Sequence, residues 1–128
     1  MTTYEVVLPY TPPSLNRAGR GHPVRQHRVK TALQRDLEML LMAAKLPRPV
    51  TSVFATAVMR FPTSRRRDEG NHRWLLEKAM GDALVNGGWL ADDTPIYYRF
   101  GRVTFSPKQG PCATVISLQV VHANESAA

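Results

Sequence analysis

The sequence has a single cysteine, Cys112, among 128 residues. A lone thiol excludes an internal disulfide, and no zinc-type Cys/His spacing surrounds it, so a reducing compartment, the cytoplasm, is expected. Long apolar runs are missing. No stretch approaches the ~20 residues that a membrane helix needs. The opening Met1-Thr2-Thr3-Tyr4-Glu5 lacks the basic start and apolar centre of a signal peptide. No membrane partner is therefore expected. The patterns GxGxxG, P-loop, HExxH and GxSxG are also absent, which removes the nucleotide-binding and hydrolase classes that they mark. Acidic residues are few: 10 Asp and Glu stand against 17 Lys and Arg, a formal net charge of +7. That balance fits a soluble basic protein with no polyanion partner, or the electrostatic footprint of nucleic acid. Clustering of the arginines beside acids favours the second.

The length suits one domain with a modest core. Tyr4 to Leu8 reads as a short strand closed by Pro9. Pro12, Pro13 and Pro23 then forbid regular structure, leaving a loop with Asn16, Arg17, Arg20 and His22 exposed, either solvated or lying on DNA as a basic arm. Arg25 to Lys45 predicts an amphipathic helix, with Val29, Leu33, Leu37, Leu40, Leu41 and Ala44 on one face. Arg28, Lys30, Arg35, Asp36 and Glu38 fall on the solvated face. Val50 to Phe61 alternates as a strand, central and covered on both faces. A second helix is expected over Asn71 to Val85, ended by Asn86-Gly87-Gly88. Strands over Ile96 to Phe105 and Ala113 to Val121 complete the order β-α-β-α-β-β. The fold class expected is α/β (α+β): one small domain, a mixed sheet with two helices.

The chemistry concentrates in residues 65–93. Arg65-Arg66-Arg67 runs into Asp68-Glu69, and a glycine turn later delivers Asp92-Asp93. Carboxylates massed this closely repel one another unless a cation lies between them. Mg²⁺ takes oxygen ligands and needs only one or two carboxylates. Arginines beside such a cluster suit a phosphodiester, gripping phosphate while metal activates water. On the helix, Asn71, Lys78 and Asp82 share a face by 3.6-residue periodicity. A plainer reading stands beside this one: Asp68 and Glu69 cap the helix electrostatically, Asp92-Asp93 form a turn, and Lys78 makes a surface ion pair. Asp68 and Asp93 also fall at opposite ends of the helix. They meet only if the chain turns back or a second subunit contributes.

Taken in order, Tyr4-Glu5-Val6-Val7-Leu8-Pro9-Tyr10-Thr11-Pro12-Pro13-Ser14-Leu15-Asn16-Arg17, then Arg65-Arg66-Arg67-Asp68-Glu69-Gly70-Asn71, then Glu77-Lys78-Ala79-Met80-Gly81-Asp82-Ala83-Leu84, then Gly87-Gly88-Trp89-Leu90-Ala91-Asp92-Asp93, resemble the RusA family of Holliday junction resolvases, phage-type. The resemblance runs from about Tyr4 to Val121. It implies a homodimeric, Mg²⁺-dependent endonuclease (Mn²⁺ a possible substitute) that cuts four-way junctions in DNA recombination and repair. Carried over position by position, it implies Asp68, Lys78, Asp82 and Asp93 as catalytic. Asp68, Glu69, Asp92 and Asp93 become candidate metal ligands. Asn16, Arg17, Arg20, Arg65, Arg66, Arg67 and Asn71 become candidate DNA contacts. Two departures stand out. Gly70 occupies the place of the second motif aspartate, so that either Glu69 or Glu77 replaces that ligand or the site binds metal more weakly. Asn71 to Lys78 is also four residues longer than the family spacing, about one helical turn, ~6 Å. Fork or flap cleavage, and junction binding without cleavage, are the alternative readings.

Overall fold

The structure is a computed structural model that describes residues 1–19, 21–63, 66–107 and 110–122. Arg20 and Arg65, both expected to contact DNA, lie outside the described residues. The elements are β1 (Thr2–Leu8), α1 (Pro23–Ala43), β2 (Val50–Phe61), α2 (Glu69–Asn86), β3 (Tyr98–Pro107) and β4 (Ala113–His122), in the expected order.

The strands form one mixed sheet in the order β1-β4-β2-β3. β4 pairs antiparallel with β1 and with β2, whereas β2 and β3 are parallel. A parallel pair needs a crossover connection, and α2 supplies it. Alternate residues pack inward: Val6 and Leu8 from β1, Val53, Ala55, Ala57 and Met59 from β2, Ile116, Leu118 and Val120 from β4. Leu33, Leu37 and Leu41 of α1 and Leu75, Leu76, Ala79, Met80, Ala83 and Leu84 of α2 close over them. β2 is central as expected, but it is covered on one face only. Its other face leaves Phe54 39% and Val58 37% exposed. The described residues form two helices for a four-stranded sheet, and both pack on the same side.

Local chemistry fixes the helix ends. The Asp68 carboxylate accepts from the Gly70 and Asn71 amides at 2.9 and 3.4 Å, capping α2 and satisfying donors that have no partner within the helix. At the far end Gly88 adopts φ +79°, a left-handed conformation that suits glycine. The chain then folds back so that Trp89 is buried, its indole donating to the Leu46 carbonyl at 2.9 Å. Trp89 is thus core. α1 starts on Pro23 without a side-chain cap. Its outer face is less solvated than the sequence predicts: Lys30 pairs with Asp82, Asp36 accepts from the Tyr10 hydroxyl, and Glu38 accepts from Asn86. These contacts clip α1 to α2 and to the end of β1.

Candidate functional site

The two ends of α2 carry two different environments. At its start the loop after β1 and the loop after β2 converge on a cleft of about 620 Å³. The Leu15 amide donates to the Asn71 carbonyl at 2.8 Å, fastening the first loop to the helix. Asn16, Arg17, Arg66, Arg67 and Asn71 all line this cleft. The structure therefore gathers every described residue expected to contact DNA. Among the described residues lining it, none is acidic. Arg67 is held in place: its guanidinium donates to the Thr63 carbonyl and hydroxyl, each at 3.2 Å, and lies 3.7 Å over the Phe61 ring. His72 packs edge-on against Phe61 and Phe105. Burial lowers its pKa below the usual histidine value, and the Arg67 charge lowers it further; Asp68 pulls the other way, and Arg17 adds a smaller push down. His72 is thus neutral at pH 7, a wall of the cleft and not one of its charges.

At the other end, the segment after Trp89 lies back across α2. Gly81 makes the approach possible, since a Cβ there would sit 2.9 Å from the Tyr98 ring, with the Asp93 Cβ next at 3.4 Å. Asp93 lines two adjoining depressions. One is shared with Glu77, Lys78, Tyr98 and Arg99, the other with Lys30, Asp82, Asn86 and Asp92. Tyr98 is buried beneath them, its hydroxyl donating to the Glu77 carbonyl at 2.6 Å. Burial, then the charges of Glu77, Asp93 and Asp82, push its pKa up, so it remains a neutral donor. Lys30 reaches across from α1 to Asp82 at 2.8 Å.

The expected carboxylates accordingly divide. Asp82, Asp92 and Asp93 border one depression, with Lys78 on the adjoining one, whereas Asp68 and Glu69 stay at the helix start. At 1.5 Å per residue, Asp68 and Asp82 are about 20 Å apart along the axis. No group of three or more metal-ligating side chains converges among the described residues. Glu69 also has other work. β3 carries one extra residue opposite Ala55 and Ala57, and the Val103 amide beyond this bulge donates to Glu69 Oε2 at 2.8 Å. The capping role of Asp68, the plainer of its two sequence readings, is seen directly. The far end of α2 is a different matter: Asp82, Asp92 and Asp93 border one open depression, which Lys30 also lines. Mg²⁺ keeps several waters and needs one or two carboxylates, so this end fits the ion in ligand type.

Sequence reasoning missed Lys30, placed on the solvated face, and Tyr98, read only as a strand residue. Lys30 adjoins Val29 on the border of the apolar stripe, which was the available signal. Nothing local marks Tyr98. No protein-family model matches the chain, and no curated protein does. No described helix is long and apolar enough to cross a membrane.

Proposed function

We propose that the chain is a metal-dependent, structure-specific DNA endonuclease that resolves four-way junctions as a homodimer. One observation carries this reading. Two loops about fifty residues apart in sequence bring Asn16, Arg17, Arg66 and Arg67 to one cleft beside Asn71 of α2, with no acidic residue among its described lining; Lys78 and Asp82 lie farther along the same helix, and Asp93 on the segment that folds back over it. Arginines at the cleft hold phosphates bidentately. Bound Mg²⁺ or Mn²⁺ would supply an activated water and neutralise charge at the phosphate. Asp82, Asp92 and Asp93 are the residues that would hold it. The exposed Lys78 ammonium, bordering the same depression as Asp93, would stabilise negative charge developing on a non-bridging oxygen. Lys30 orients the Asp82 carboxylate. Two copies suit a two-fold junction, and a partner chain offers Asp68 a route to an Asp93 that its own chain keeps distant.

Cleavage of a synthetic four-way junction in Mg²⁺, by wild type and Asp93→Asn, tests the proposal. Paired symmetric nicks that disappear in the variant are expected. Stronger cutting of forks or flaps moves the reading to a general branched-DNA nuclease. A second reading, a junction-binding protein without catalysis, draws on Glu69 being tied to the Val103 amide while Gly70 offers no ligand. Tight, salt-sensitive binding with no cutting in either metal would establish it.

A further inference from the structure

The cleft at the start of α2 is larger and more varied than a phosphate clamp requires. Its volume of about 620 Å³ falls within the range of small-molecule pockets, roughly 300–1,000 Å³. One part of its lining is cationic, from Arg17, Arg66 and Arg67. Another is flat and apolar, from Pro12, Pro13 and Phe61, with the neutral His72 ring beside them. A phosphate alone would satisfy the first part and leave the second wet. A phosphate joined to a planar base satisfies both, because bases stack on aromatic rings and on guanidinium planes. Arg67, already held over Phe61 by that contact and by its bonds to Thr63, is such a plane and loses little freedom on binding.

We propose that this cleft receives one unpaired nucleotide, its phosphate on Arg17 and Arg66 and its base stacked on the Arg67 guanidinium that Phe61 backs. A base inside a duplex is stacked on both faces and cannot enter, so the nucleotide must be extruded, bulged or free. The inference rests on the DNA reading above only for the source of that nucleotide. A strand of branched DNA and a free mononucleotide offer the same chemistry.

Metal-free binding separates the possibilities. In EDTA, a duplex with a one-nucleotide bulge is compared with the same duplex carrying an abasic bulge, with dAMP and inorganic phosphate as competitors. The base-bearing bulge is expected to bind about tenfold tighter, the scale of one stacked base. dAMP should compete better than phosphate. Phe61→Leu keeps apolar bulk but removes the flat ring, and should erase the difference between the two bulges. Arg66→Ala, at an exposed position, should weaken both equally. Equal affinity for both bulges in wild type overturns the inference while leaving DNA binding intact. Saturable dAMP binding without DNA binding upholds the pocket as a free-nucleotide site and removes the DNA reading. Failure to bind either ligand overturns both.

Discussion

Gly81 offers a sharp test of the packing that places Asp93. A glycine inside a helix ordinarily costs ~1 kcal/mol relative to alanine, so Gly81→Ala should stabilise an isolated α2. In the protein the added Cβ would lie 2.9 Å from the Tyr98 ring. That ring is 7% exposed and tethered through its hydroxyl to Glu77, so it has little room to yield. Overpacking of this kind costs ~1–3 kcal/mol. The steric term wins, and the net effect is a loss of about 1 kcal/mol, or about 4 °C in midpoint for a domain of this size. Gly70→Ala is the control. Its Cβ would meet only the Asp68 carboxylate, at an ordinary 3.5 Å, and the same propensity should raise the midpoint slightly. Thermal and urea unfolding of both variants read the result. A rise for Gly81→Ala matching that of Gly70→Ala would show that the segment bearing Asp93 and Tyr98 does not lie against α2 as described.

Three further outcomes are expected. The depressed pKa of His72 means that the unfolded chain takes up a proton on that ring before the folded one does. The stability it contributes is present above about pH 6.5 and is lost as pH falls through that value toward the lower folded-state pKa; His72→Gln should flatten this part of the profile measured by urea unfolding, and an unchanged slope refutes the assignment. Arg66→Ala should weaken DNA binding uniformly across sequences and reduce the slope of log affinity against log salt by about 1; an unchanged slope removes Arg66 from the phosphate contacts. Lys30→Met releases Asp82 from its ion pair and should tighten Mn²⁺ binding measured by calorimetry; no change would separate Asp82 from any cation site.

Much of the fold was legible in the residues because its signals are local. Leucines recurring every three to four positions from Val29 to Ala44 predict one helix face, and Leu33, Leu37 and Leu41 are the ones buried. The alternation in Val50 to Phe61 reproduces both ends of β2. The convergence of Asn16 and Arg17 with Arg66, Arg67 and Asn71 was legible only as two basic loops and a helix start. Their meeting depends on the loop after β1 reaching the start of α2, where the Leu15 amide donates to the Asn71 carbonyl, and no stretch of either loop encodes that.

The sequence by itself determined the order of the elements, the buried faces of the helices, the Asp68 cap and the glycine turn after α2. Each follows from the conformational preferences of a few adjacent residues. Tertiary structure decided which strands are neighbours, that one face of the sheet stays bare, that Lys30 reaches Asp82, and that Glu69 serves the β3 bulge instead of joining Asp93. These are choices of partner between groups far apart in the chain. Many pairings satisfy the same charges and the same apolar alternation, and only the packing of the whole sheet against its two helices selects among them.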